Sequence, residues 1–179
     1  MLKRKDYHYL YDITHRVTPL AEDCGTLCGR ACCQPGRDSD LGIYLFPGEE
    51  TMFTRRESWL TWEEQNPAEQ LFPASWPDPV YFVRCTGTCP RDKRPLACRL
   101  FPLVPHLQKD GSMLLIYETM HLPYTCPLIT RQIKLQQQFV STVKKVWKLL
   151  LQDPCIRDLI VDDSRYREEN NLPIQAVEG

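Results

Sequence analysis

The longest periodic stretch of the chain lies at residues 129–151, where apolar side chains return mostly every three or four positions. This period places them on one face of an amphipathic helix, and we predict a single long helix there, which Pro154 brings to an end. A second, short helix is predicted at 55–60, because Thr54 and Glu57 have the spacing of a capping box.

Short apolar runs bounded by turn-forming residues predict strands at 41–46, 80–83 and 113–117. Between the first two of these runs, residues 66–79 contain four prolines, which predict a loop. Short strands, one long C-terminal helix and much irregular backbone together predict a small, irregular α+β fold.

Length and composition allow one ordinary domain. The chain has 179 residues, of which 42% are hydrophobic and 25% charged, a balance typical of folded globular proteins. We predict an N-terminal lead-in at 1–20, a single domain over 21–161 and a polar tail at 162–179. No run approaches the roughly 18 apolar residues of a membrane-spanning helix, and no apolar signal-peptide segment follows the basic start. A cytoplasmic protein with no membrane partner is therefore predicted.

Nine cysteines are the most unusual feature of the composition. Disulfides do not persist in a reducing compartment, so a dense set of cysteines there indicates metal binding or catalysis. An odd number also rules out complete internal pairing. Eight of the nine are predicted metal ligands: Cys24, Cys28, Cys32, Cys33, Cys85, Cys89, Cys98 and Cys126.

The spacing of the first group suits ligands that converge from a tight loop. Three residues separate Cys24 from Cys28 and Cys28 from Cys32, and Cys33 follows at once. A glycine directly follows each of the first two cysteines, and glycine allows the backbone to curl around a metal. We therefore favour a loop over a helix for 24–33.

Eight thiolates leave the form of the metal open. Two four-thiolate zinc sites, a shared binuclear zinc site and an iron–sulfur cluster with spare cysteines are all compatible with this number. Two such zinc sites would carry about −4 in charge, which nearby cations would offset. The second cysteine group has one acid, Asp92, and five cations around it: Arg84, Arg91, Lys93, Arg94 and Arg99. The alternative is that the thiols are merely buried or form redox disulfides.

Two motifs resemble a known family. The run C-x3-C-x3-C-C that begins at Cys24 is similar to the CxxCxxCC signature of the zinc- or iron-chelating domain family, although that signature has spacings of two. The run RPLACRLFP from Arg94 to Pro102 is similar to the RPxxCRxFP element of the same family. The resemblance covers roughly residues 20–130. It implies bacterial cytosolic proteins with eight metal-ligating cysteines, often described as iron–sulfur proteins, and it supplies no substrate.

Other candidate residues carry weaker signals. Cys155 has no counterpart in that family, and we predict that it packs against a helix. His106 and His121 lie near the later cysteines and could replace a thiolate ligand, but a structural or surface role is commoner. Arg94 and Arg99 flank Cys98 and could donate hydrogen bonds to metal-bound sulfur or form ordinary salt bridges.

The 129–151 segment has a Lys/Arg excess of +5 and no acidic residue, while residues 162–179 carry about −3. We interpret the basic face as solvated, with a protein partner as the alternative. Few aromatic residues accompany these cations, which argues against a stacking platform for single-stranded nucleic acid.

Two classes of function remain at this point. Closed four-thiolate sites would make the chain a structural or interaction module, because they leave no open coordination position. An iron–sulfur cluster or an open zinc position would instead indicate a redox protein or a metal-dependent enzyme. The sequence has no clear set of acid, base and nucleophile around the cysteines, which favours the module.

Overall fold

A computed structural model describes residues 1–33, 41–86 and 89–177. Its α-helices are α1 (Arg4–Thr14), α2 (Leu96–Leu100), α3 (Pro127–Thr130), α4 (Gln137–Leu150) and α5 (Pro154–Glu169). Its strands are β1 (Ile43–Tyr44), β2 (Leu60–Gln65), β3 (Val80–Cys85), β4 (Leu103–Leu107) and β5 (Met113–Tyr117). Short 3₁₀ turns lie at Cys24–Leu27, Ala31–Cys33, Glu49–Met52 and Arg91–Lys93.

The strands form two small antiparallel sheets, one of order β1-β3-β2 and one hairpin of β4 and β5. The predicted strands at 80–83 and 113–117 are confirmed, and the one at 41–46 is confirmed over β1. In the first sheet Leu60 of β2 lies opposite Cys85, the last residue of β3. Helices together with separate antiparallel sheets confirm the α+β class.

The predicted helix at 129–151 is interrupted. α3 ends at Thr130 and α4 begins at Gln137, and between them Gln132 has a φ of 46°. The N-terminal segment holds this break, because the Gln136 amide donates to the Pro19 carbonyl at 2.9 Å and its side chain donates to the Thr18 carbonyl at 3.0 Å. Contacts with a distant part of the chain therefore override the local helical period.

The helix predicted at 55–60 is wrong, although its capping box forms. The backbone amide of Thr54 donates to the Glu57 carboxylate at 2.8 Å, and the Thr54 hydroxyl lies 2.9 Å from the same oxygen. Arg55 then takes a φ of 60°, which no helix accommodates. From Leu60 onwards the chain pairs with β3, so the side-chain contacts cap a turn that leads into a strand.

Both ends of the chain pack against the centre of the fold. The predicted lead-in contains α1, which buries Tyr7 and Leu10. At the other end, α5 continues through the first half of the predicted polar tail because Ser164 and Arg167 are buried on its inner face. Beyond α5, the Val177 amide donates to the Leu115 carbonyl at 2.7 Å.

The core of the described residues divides into one large apolar cluster and two small ones, the second small one formed by Trp76, Val80 and Cys155. The large cluster gathers α1, α4, the β4–β5 hairpin and the start of α5 around residues such as Phe139 and Leu150. Cys126 belongs to it, and the first small cluster, which includes Trp59 and Val83, packs against Cys85. Cys24 also packs against the large cluster and Cys89 against the first small one, so both clusters contact predicted ligands. Within the described ranges, no helix is both long enough and apolar enough to span a bilayer.

Asp163, half-buried on α5, gives a pH-dependent prediction. Burial raises the pKa of its carboxyl from the ordinary 3.8 to about 6, even though Arg167 lowers it. Folding therefore favours the protonated form, and stability should fall as pH rises from about 4 to about 6. We expect Asp163→Asn to remove this loss and to gain about 1–2 kcal/mol over the natural chain at neutral pH, measured by urea unfolding across that range.

The matched control is Asp162→Asn. Asp162 is the exposed neighbour of Asp163 and forms a 2.8 Å ion pair with Arg165. This variant should keep the natural pH profile. An unchanged profile for Asp163→Asn as well would contradict the expected cost of burying the Asp163 carboxylate.

Candidate metal centre

The first cysteine group lies on a tight loop, as predicted. The Asp23 carboxylate accepts a hydrogen bond from the Gly25 amide at 3.1 Å and starts the Cys24–Leu27 turn. Gly29 and Arg30 then take φ values of 61° and 62°, which reverse the chain into the Ala31–Cys33 turn. A left-handed glycine at position 29 is what this reversal requires.

The second group lies at the end of a strand and on a short helix. Cys85 ends β3, Cys89 precedes the Arg91–Lys93 turn, and Cys98 is in the middle of α2. Cys126 comes from a third place in the chain, directly before α3. These elements belong to different parts of the sequence, so long-range packing must hold them together.

Arg99 provides part of that packing. It is 8% exposed, and its Nε and Nη2 donate to the carbonyls of Arg94 and Asp92, both at 2.7 Å. Its guanidinium also lies 4.1 Å from the centre of the Tyr11 ring. Arg99 therefore binds backbone carbonyls and joins the turn before Cys98 to α1, and its predicted donation to metal-bound sulfur stays a prediction.

Glu49 fixes the start of the helix that bears Cys98. Its carboxylate is fully buried, and one oxygen accepts from the Leu96 amide at 2.6 Å and from the Tyr11 hydroxyl at 2.7 Å. The other oxygen accepts from the Phe46 amide at 3.0 Å. Burial raises the pKa of this carboxyl, while the three hydrogen bonds and Arg99 lower it. Sequence reasoning missed this residue, because no pattern distinguishes Glu49 from Glu50.

Each of the eight predicted ligands lies within electrostatic range of at least one other, and we call the set the thiol cluster. All eight are free thiols. Burial, together with the charges of Cys33 and Cys89, raises the pKa of Cys98 to about 12, although Arg94 lowers it. Burial also raises the pKa of Cys24, to which the charges of Cys126 and Cys28 contribute. The cluster thus includes thiols from all three parts of the chain.

Two pairs of thiols within the cluster interact directly. The sulfurs of Cys32 and Cys33 are 3.8 Å apart, and their hydrogen bond raises the pKa of Cys32 and lowers that of Cys33. Cys85 and Cys89 are coupled in the same sense, which raises the pKa of Cys85 and lowers that of Cys89. In each pair the coupling favours a thiolate on one of the two sulfurs.

Arg94 is the cation placed among these thiols. Burial opposes its charge, but the charges of Cys33, Cys89 and Cys98 and a hydrogen bond with Cys89 raise its pKa. Its Nε is buried without a hydrogen-bond partner in the described part of the chain. A guanidinium in this position is suited to offset negative charge on sulfur.

The remaining candidates lie apart from the cluster. The thiol of Cys155 donates to the Ser75 carbonyl at 3.0 Å and packs near Trp76 at the start of α5. His106 is buried, with Nε2 3.7 Å from a Glu168 carboxylate oxygen, and His121 is exposed. Neither histidine contributes to the pKa shift of any cysteine for which a shift is resolved.

The thiols are close but are not gathered in a ligating arrangement. Over residues 1–33, 41–86 and 89–177, no three histidine, cysteine, aspartate or glutamate side chains are placed so that they could hold one metal ion. Ligation would require several of the sulfurs to move to about 2.3 Å from a shared zinc ion. The donor chemistry suits zinc or iron, and the sulfur positions are those of free thiols.

These features define a cysteine-rich α+β domain in which three chain segments bring eight thiols near one another, with the half-buried Arg94 beside Cys33, Cys89 and Cys98. Comparison of the chain with known protein families, with curated proteins and with solved structures finds no match. The resemblance to the CxxCxxCC family therefore stays a prediction.

Proposed function

We propose that the chain is a metal-binding module that holds zinc through the thiol cluster. The observation that supports this proposal is the convergence of the same eight cysteines that the sequence singles out. Each of them affects, or is affected by, the charge of another member, whereas the shift of Cys155 comes from other groups. If burial alone decided which cysteines interact, the buried Cys155 would belong to the set and the partly exposed cysteines would not.

Charge also supports a metal over a set of inert thiols. Structural cysteines behave as small apolar side chains and need no buried cation beside them. Arg94 lies among Cys33, Cys89 and Cys98 with an unpaired Nε, an arrangement that is costly unless negative charge develops on the sulfurs. Thiolates bound to a metal would supply that charge.

Zinc in closed four-thiolate sites is the form we propose, in a cytoplasmic compartment that keeps the thiols reduced. Zinc has no redox chemistry and accepts four sulfurs without an open position. The eight ligands would be Cys24, Cys28, Cys32, Cys33, Cys85, Cys89, Cys98 and Cys126. In this form the metal would stabilise the irregular loops. The surface of the domain would then be the part that binds a protein partner.

The test is metal analysis of protein purified without oxygen, combined with assays for acid-labile sulfide and free thiols. About two zinc ions per chain, no sulfide and one titratable thiol are expected, the last being Cys155. Brown protein that contains iron and sulfide would indicate an iron–sulfur cluster instead of zinc and would favour a redox role. Metal-free protein with nine titratable thiols would overturn the proposal.

A further inference from the structure

A cavity of about 370 Å³ lies beside Cys126, which is one of its lining residues. Three segments form its walls: the end of β5 with the loop that follows, α3 with the residues after it, and the chain beyond α5. Its volume falls within the range of small-molecule sites, about 300–1,000 Å³.

The chain after α5 is held as the third wall. The Val177 amide donates to the Leu115 carbonyl at 2.7 Å, and the neighbouring Ala176 forms a bridge with β5. These contacts place Pro173 and Gln175 on the cavity wall. A segment predicted from sequence as a polar tail therefore has a defined position there.

Several polar side chains on the cavity wall have no hydrogen-bond partner among the described residues. The side chains of Tyr124, Thr125, Gln132 and Gln175 line the cavity and make no hydrogen bond to another residue in the described ranges. These groups are free to donate to, or accept from, a bound molecule.

The charge of the wall decides which molecule fits. Glu118 is the one charged side chain among the described lining residues, and no described lysine, arginine or histidine lines the cavity, although Arg167 is ion-paired with Glu118 from outside the lining. Its Oε1 accepts from Arg167 at 3.2 Å and from two backbone amides, while Oε2 makes no hydrogen bond with a described residue. An anion would be buried without a counter-charge, which is costly. A cation would meet the free oxygen of Glu118 and the rings of Tyr117 and Tyr124, and such rings attract ammonium groups.

We propose that this cavity binds a small organic ammonium ion, with Glu118 as counter-ion, Tyr117 and Tyr124 as the aromatic wall, and the amide of Gln175 as a hydrogen-bonding group. The inference does not rest on metal binding, because the walls are held by contacts that involve no ligand thiol except that of Cys126.

The test uses the full chain as purified and three probes that share one ring: benzylammonium, benzyl alcohol and benzoate. NMR titration should show saturable shifts of Ile129 and Thr130 methyl resonances with benzylammonium, weaker shifts with benzyl alcohol and none with benzoate. Equal binding of benzoate and benzylammonium, or shifts that map away from the cavity, would overturn the proposal. Metal content measured on the same sample keeps this result separate from the proposed metal site.

A charge variant at the rim sharpens the test. Gln175 is exposed, so Gln175→Lys should fold normally and place a cation in the wall. It should weaken benzylammonium binding at least about fivefold through like-charge repulsion. The matched control is Gln137→Lys, which adds the same charge at an exposed position on α4 outside the cavity and should bind as the natural chain does. Equal affinities for the two variants would count against the site.

Discussion

Replacing Cys98 with serine should lower both the bound metal and the melting temperature. Cys98 lies at the centre of the thiol cluster, where the charges of Cys33 and Cys89 both act on it and α2 fixes its position. Structural zinc contributes about 10–16 kcal/mol in small domains, and a hydroxyl is a poor substitute for a thiolate ligand. We expect the melting temperature to fall by at least about 10 °C, since each kcal/mol shifts it by about 2–4 °C in a chain of this size. Cys28→Ser should act in the same direction.

Cys155→Ser provides the matched comparison. Its thiol is buried but lies outside the thiol cluster and donates to the Ser75 carbonyl at 3.0 Å, a bond that a serine hydroxyl can keep. Metal content should stay at the natural value and the melting temperature should change little. Metal analysis and thermal scans of the three variants, purified in parallel without oxygen, test this difference. Equal metal content in all three would refute the assignment of Cys28 and Cys98 as metal ligands.

The members of the thiol cluster could be singled out from the sequence because closely spaced cysteines have a local signature. Closely spaced cysteines with glycines and arginines beside them are recognisable without knowledge of the fold. The strands β3 and β5 were predictable for a similar reason, since apolar runs between turn residues carry their own boundaries.

The features that depend on distant contacts were not predictable. The break between α3 and α4 exists because Gln136 bonds to residues 18–19, more than a hundred positions away. The capping box of Thr54 and Glu57 formed, yet it leads into β2, because pairing with β3 outweighs a local helix signal. Local patterns therefore predicted the contacts within a turn but not the element that follows it.

The same limit applies to the side chains that support the thiol cluster. Arg99 was recognised as a neighbour of Cys98, but its partners are carbonyls that only the folded chain brings near. Glu49 and Glu50 are adjacent and chemically identical. They differ in burial because the fold covers Glu49, whereas Glu50 stays partly exposed. A buried acid of this kind becomes visible only when its three donors are known.

Glu49→Ala should destabilise the fold by about 3–5 kcal/mol, because it leaves three buried donors without their acceptor and removes the carboxylate charge near the buried Arg99 guanidinium. The Leu96 and Phe46 amides and the Tyr11 hydroxyl would each lose a hydrogen bond. Helix α2 would also lose the group that fixes its first residue, so Cys98 should react faster with a thiol reagent in metal-free protein. Urea unfolding and timed alkylation followed by mass spectrometry measure the two effects.

Two further variants separate the hydrogen bonds of Glu49 from its volume. Glu49→Gln keeps the size but turns an amide group towards at least one of the three donors, so it should cost less than alanine, about 1–3 kcal/mol. Glu50→Ala removes a neighbouring carboxylate for which no side-chain hydrogen bond is seen with a described residue, and should change stability by no more than about 0.5 kcal/mol. If Glu49→Ala and Glu50→Ala unfold at the same urea concentration, the buried carboxylate does not support the helix of Cys98. If only Glu49→Ala is unstable and only there the Cys98 alkylation accelerates, the position of that thiol depends on an acid 49 positions before it in the chain.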